Sequence, residues 1–182
     1  MAFFQSKKWI TTYMVSLILS LWGCQSPQQT QDVAIIPQPL SMEKGSGTFS
    51  FSKETTIAVG NEEQRIIAEN FASLFTRPAG FTPQVKTGQE GDIVFLTDNT
   101  MKSDAYELTV LPERITIKAA DVKGFFYALQ NLRLMLPPTI EGKEKTTDTW
   151  SIPSLTIKDA PRFNYRGFML DVSRFFLPKE DL

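Results

Sequence analysis

Arg166, Asp171 and Arg174 are charged residues set into an otherwise apolar run, "PRFNYRGFMLDVSRFFLPKEDL", residues 161–182. The run reads as a buried strand followed by the opening of a helix, and charges in such a strand are rarely buried unless paired. A guanidinium carries a fixed fork of donors and binds two neighbouring oxygens at once, those of a carboxylate included. Arg166 comes early in the strand, Asp171 and Arg174 late, and an internal ion pair is the expected role of the latter two. Glu180 and Asp181 are adjacent carboxylates; with Pro178 at the first turn they fit favourable placement near a helix N-terminus. There is no histidine, which removes the usual neutral-pH acid–base group and the commonest zinc ligand. A single cysteine excludes an intrachain disulfide and a cysteine-based metal cluster. No metal and no cofactor are expected.

That cysteine, Cys24, follows a distinctive leader. Lys7 and Lys8 precede an apolar stretch from Trp9 to Trp22, and Gly23 stands just before the cysteine. A spanning helix needs about 20 apolar residues, whereas this stretch is shorter and carries Thr11, Thr12 and Ser16. A charged segment, a short apolar segment and a small residue make a secretory signal, here similar to a bacterial lipoprotein signal in which the cysteine is lipidated. Leu21 and Gly23 fit that pattern; Trp22 is bulkier than the small residue preferred there. The alternative is an ordinary signal peptide or an N-terminal anchor helix with an incidental cysteine. Residues 1–24 are thus expected to be a signal peptide and residues 25–32, "QSPQQTQD", a polar tether. The expected location is the cell envelope, with the membrane reached through the lipid anchor.

The elements that would position these residues begin at Val33. An apolar share of 42% supports a real core. Nineteen basic against twenty acidic residues, with no long basic run, exclude a nucleic-acid partner held by phosphate neutralisation. "GTFSFS" (47–52) and "TTIAVG" (55–60) read as strands. A helix is expected over 61–75, with Asn61 as N-cap, Gln64 completing an arrangement close to a capping box, and Ile67, Phe71, Leu74 and Phe75 on one face. "DIVFLT" (92–97) reads as a central strand. "YELTVLPERITIKA" (106–119) alternates on both sides of a Pro-Glu turn and predicts a hairpin with one buried face. Residues 121–136 form a helix capped by Asp121, with Phe125, Ala128, Leu129, Leu132 and Leu136 in a stripe; Tyr127 and its aromatic neighbours read as core. Residues 139–150 are a polar loop, and "IPSLTIKDAPRF" leads out of the domain. The fold class is α+β, a small sheet with two helices packed on one face, spanning 33–158.

Three stretches carry a family resemblance: "IIPQPLSMEKGSGTFSFSKET", "DAYELTVLPERITIKAADVKGFFYALQNLRLML" and "IKDAPRFNYRGFMLDVSRFF". In this order they resemble the start, the hairpin with last helix, and the exit of the N-terminal domain of bacterial β-N-acetylhexosaminidases of glycoside hydrolase family 20. The third stretch resembles that family's entry into its catalytic (β/α)8 barrel, so residues 159–182 are expected to begin a barrel. The resemblance implies removal of terminal N-acetylglucosamine or N-acetylgalactosamine from glycans by substrate-assisted retention, an exception to the two-carboxylate scheme. In that chemistry an aspartate orients the acetamido group and the adjacent glutamate protonates the leaving oxygen. Asp-Glu occurs nowhere in this sequence, and Glu180-Asp181 is in reversed order, so no catalytic residue is assigned. Arg166 matches the arginine that binds hydroxyls of the terminal sugar; pairing with a carboxylate at the barrel floor is the alternative. Phe175 departs from the family, which commonly has histidine there.

A barrel takes about 250 residues, so the stretch after Pro161 is too short to close one. The expectation is the N-terminal part of a truncated hexosaminidase, inactive alone, whose glycan partner is bound only by a complete protein. The alternative is a noncatalytic lipoprotein module derived from the domain, which would have no use for the apolar run "GFMLDV". For the leader, Cys24→Ala is expected to leave unprocessed precursor and to abolish labelling by a fatty-acid probe; unchanged labelling contradicts lipidation.

Overall fold

The computed structural model describes residues 33–163, 165–167, 169–171, 176 and 178. Cys24, the tether, Arg174, Phe175, Glu180 and Asp181 lie outside the described residues. The strands are β1 (Ser41–Ser50), β2 (Thr56–Val59), β3 (Gln84–Thr87), β4 (Ile93–Thr97), β5 (Tyr106–Val110), β6 (Ile115–Ala119) and β7 (Ser151–Asp159); the helices are α1 (Glu62–Ser73) and α2 (Val122–Met135). They form one sheet in the order β1-β7-β5-β6-β4-β2-β3. Pairing is antiparallel from β1 through β6 and parallel from β6 through β3. This is the expected α+β class with a larger sheet.

The hairpin and both helices form as their patterns predict. Alternation in β5 and β6 sends Tyr106, Leu108, Val110, Ile115, Ile117 and Ala119 into the core beneath the helices. The other face is polar: Glu107 stands opposite Lys118 and Lys158, with N···O distances of 3.9 and 3.4 Å. Each exposed cross-strand pair of this kind is worth well under about 1 kcal/mol, so its role is to keep that face wet. The stripe on α2 buries Phe125, Ala128, Leu129, Leu132 and Leu136, with Phe125 stacked on Phe95 at 4.9 Å. At the other end of the sheet, Phe75 gathers Phe51, Phe71, Phe81 and Trp150 around it.

Helix α1 starts at its expected cap, with Gln64 N donating to Asn61 Oδ1 at 2.9 Å. The return half of the capping box is shifted by one residue. Gln64 Oε1 accepts from Gly60 N at 2.7 Å, while its Nε2 donates to Thr97 Oγ1. Gln64 is therefore buried and joins the helix start to β4, and the helix rolls so that Ala68 and Ala72 enter the core while Ile67 and Leu74 are half-buried.

Two strands are additions to the sequence reading. β3 is a short edge strand with little burial, and Arg65 fastens it to α1 through Thr87 Oγ1 at 2.6 Å and Val85 O at 3.4 Å. β7 corrects the expectation that residues after 151 lead out of the domain, because it lies inside the sheet between β1 and β5. Pro153 makes the segment read poorly as an interior strand. The structure accommodates it where β5 pairing has already ended at Leu155 and β1 changes register between Lys44 and Thr48. Gly47, at φ 90, supplies the left-handed residue of that irregularity.

Beyond Asp159 the described residues form no strand, and Tyr165 and Met169 are 87% and 89% exposed. The strand expected in residues 161–182 is thus not seen among the described residues.

The start of α2 sits against the sheet through Gly124. A Cβ there would collide with Ala105 O and stand 2.8 Å from Ala119 Cβ. Gly124→Ala is expected to destabilise the fold by about 2 kcal/mol through overpacking, against the roughly 1 kcal/mol that helix propensity alone would add. The urea midpoint measures this, and a raised midpoint contradicts the close approach.

Candidate functional site

The chain leaves the sheet at a fixed point. Asp159, the last residue of β7, accepts from Leu40 N at 3.2 Å and from the Tyr106 hydroxyl at 3.4 Å. That hydroxyl accepts in turn from Asn131 Nδ2 on α2. Burial, reinforced by the Asp159 carboxylate, pushes the Tyr106 phenol up, so it stays protonated as a donor. Beside this network a cleft of about 240 Å³ is lined by Leu40, Met101, Ala105, Tyr106 and Glu107 among others. Its carboxylates already serve the fold, Asp159 in this network and Glu107 in the lysine ladder.

A second cluster surrounds the start of α2, built on Asp121. Its Oδ1 accepts from Gly124 N at 3.0 Å, the expected helix cap. Its Oδ2 accepts from Ser103 Oγ at 2.7 Å and Asp104 N at 3.0 Å. Burial opposes the charge, but the hydrogen bonds from Ser103, Asp104 and Gly124, aided by Lys123, outweigh it and hold the carboxyl below the usual aspartate range. The clamp fixes Asp104 at φ 65, a left-handed conformation that aspartate tolerates better than most residues.

Arg166 reaches this cluster. Its Nη2 donates to the Tyr127 hydroxyl at 2.6 Å and lies 3.8 Å from Asp104 Oδ2. Its guanidinium carbon is 5.1 Å from the Tyr127 ring centroid. Lys123 Nζ is 3.5 Å from the other Asp104 oxygen. The arrangement binds a cation: a carboxylate, a phenol oxygen and a ring face converge on one guanidinium.

Of the residues singled out from sequence, the structure thus brings Arg166 to Asp104 and Tyr127. Tyr127, read as core, packs its ring against the core but turns its hydroxyl outward to Arg166, and its neighbour Phe126 is exposed. Asp171 is described and exposed, while its expected partner Arg174 is outside the described residues. Asp104 was not legible as a site residue, since the loop "NTMKSDA" has no periodicity; the Asp121 cap three residues before Gly124 was the available signal. Among the described residues no three potential metal ligands cluster, and no helix is long and apolar enough to cross a membrane.

The sheet, its two helices and the exit at Asp159 coincide with a known domain. Residues 32–160 match the family model described as glycosyl hydrolase family 20, domain 2. The chain belongs to this family. It is 32% identical over 180 residues to a β-hexosaminidase of Porphyromonas gingivalis, covering 92% of this chain and 23% of that protein. It is 33% identical over 157 residues to the N,N'-diacetylchitobiase of Vibrio harveyi, covering 83% and 16%. Among solved structures, the Streptomyces plicatus N-acetyl-β-hexosaminidase in complex with Thio-NAglucal is similar with a TM-score of 0.71 at 32% identity, over 79% of this chain and 29% of that one. The chain therefore spans under a third of the length of these family 20 relatives.

Asp121 gives this domain a defined acid sensitivity. Because its folded-state value is lowered, its stabilising contribution is complete above about pH 4, the ordinary aspartate value, and is lost as pH falls through the lower folded-state value. Asp121→Ala is expected to cost about 1 kcal/mol near neutrality and to flatten part of the acid limb of stability against pH. An unchanged urea midpoint at pH 7 contradicts the clamp.

Proposed function

We propose that this chain is the N-terminal part of an exo-acting β-N-acetylhexosaminidase that releases terminal N-acetylglucosamine or N-acetylgalactosamine from glycans. The reading is carried by the family 20 domain at residues 32–160, joined to relatives that are named for hexosaminidase or chitobiase. A further relative, the Vibrio harveyi exo β-N-acetylglucosaminidase, was solved in complex with N-acetylglucosamine at 29% identity and a TM-score of 0.66. The proposed reaction is substrate-assisted retention. The acetamido oxygen of the substrate attacks the anomeric carbon as the bond to the leaving oxygen breaks and that oxygen is protonated; water then opens the cyclic intermediate.

Arg166 is the residue of this chain proposed to touch the sugar. Its fork of donors suits two neighbouring hydroxyls, and a charge-assisted bond strengthens each contact. The proton donor and the carboxylate for the acetamido group are a different matter, because no Asp-Glu pair occurs in the sequence. Both roles demand fixed geometry, and neither is assigned to a residue here. Cys24 is proposed as the lipid attachment point, holding the protein in the cell envelope through more than one acyl chain, as stable anchoring requires.

The chain purified as written is expected to leave a chromogenic N-acetylglucosaminide unhydrolysed above background. In a polypeptide of the relatives' length, hydrolysis is expected, and Arg166→Ala should weaken it by about 1.5–3 kcal/mol in kcat/KM. Turnover by the 182-residue chain that survives further purification overturns the expectation that this chain is inactive alone; a silent Arg166→Ala overturns the sugar contact.

A further inference from the structure

We propose that Asp104 and Tyr127 form a receptor for the Arg166 guanidinium, which docks the segment after β7 on α2 and withholds this arginine from other ligands while it is docked. Each partner contributes a different interaction. Asp104 offers opposite charge at 3.8 Å, and the Tyr127 hydroxyl accepts a hydrogen bond at 2.6 Å. The Tyr127 ring lies 5.1 Å from the guanidinium carbon, within the range of a cation–π contact.

The receptor is built before the arginine arrives. The Asp104 side chain is only 14% exposed, and its backbone N–H is tied to the Asp121 cap, with Ser103 bound to the same cap oxygen. Lys123 steadies the carboxylate at its other oxygen. Tyr127 lies four residues past Lys123 on α2, so both project from one helix face. The ligand side is looser: the Arg166 side chain is 47% exposed, and its neighbour Tyr165 is 87% exposed. A largely buried acceptor and an exposed donor make a surface latch rather than part of the core.

The consequence follows from place: while Nη2 is engaged by Tyr127 and lies beside Asp104, the guanidinium is held at α2 and that nitrogen is withheld from sugar hydroxyls. Only this consequence rests on the proposed function; the docking rests on the geometry above and is tested without any sugar.

Trypsin supplies the test, because it must take the arginine side chain into its own pocket. Arg162 is the internal reference: it lies beyond β7 and its guanidinium is 5.6 Å from the Phe163 ring. A synthetic peptide of residues 159–171 sets the intrinsic ratio of cleavage at the two arginines. In the 182-residue chain, cleavage after Arg166 relative to Arg162 should be about three- to tenfold slower than in the peptide, the span that a cation–π contact and a screened ion pair allow. Tyr127→Phe, which keeps the ring, should recover part of the difference. Combined with Asp104→Asn it should recover most of it while leaving the Arg162 rate unchanged. Equal ratios in chain and peptide overturn the proposal without recourse to any variant. A slow Arg166 site that neither substitution releases also overturns it, since another contact would then be holding the arginine.

Discussion

The pairing of β7 with both β1 and β5 is the constraint on which the rest of the fold depends. Among the described strands β1 has no other neighbour, so the first of them is held by the last. Closing that loop joins segments about a hundred residues apart, and the entropy of closure grows only slowly with length. The burial comes mainly from β7, whose Ile152, Leu155 and Ile157 enter the core, while β1 adds Phe49 and is otherwise largely exposed. On the other side of β5 the sheet turns parallel, and there Ala58 and Val94 are buried along with the core-facing Ile57, Val59, Ile93 and Phe95. That follows the rule that parallel strands are covered on both faces, whereas the antiparallel half leaves its threonines and its Lys118–Glu107–Lys158 ladder to water.

The parts legible in the sequence were those in which local pattern and tertiary demand agree. The hairpin at 106–119 and the stripe on α2 have the periods of their elements and bury the residues that those periods select. β7 was hidden because Pro153 argues against an interior strand, and only knowledge of its partners shows that the proline falls where β5 pairing has ended. β3 was hidden because "QVKT" has neither length nor burial; Arg65 on α1 holds it from outside the strand. Gln64 shows a finer limit. Its type and position predicted a capping role, but its amide accepts from Gly60 N and also donates to Thr97 on β4, the strand beside β2, a contact that local sequence does not show.

The candidate site divides in the same way. Asp121 was readable as a helix cap, since its spacing from Gly124 is local. That the same carboxylate also fixes Ser103 and Asp104 was not, because the loop meets the helix only in the folded chain. Arg166 carried meaning in the sequence through family resemblance, which says nothing of Tyr127 or Asp104. These contacts arise from the path of the chain after β7, and no pattern within residues 161–171 encodes where that path lies.

The exit path is governed by a single stripe on α2. Lys123, Tyr127 and Asn131 are spaced four apart and so lie along one side of the helix. Lys123 meets Asp104, Tyr127 meets Arg166, and Asn131 reaches Asp159 through the Tyr106 hydroxyl. The two chain positions involved differ in character. Asp159 is reached by an exposed N–H of Leu40 and by the Tyr106 hydroxyl, which is buried with Asn131; for those buried groups an unmade hydrogen bond costs more than a made one gains, so the point of departure from the sheet is fixed. Arg166 is held at the surface, where charge is screened and each contact is small, so its attachment can be exchanged. One helix therefore anchors the end of the domain rigidly and the following segment reversibly, and the difference comes from burial rather than from the kinds of group involved.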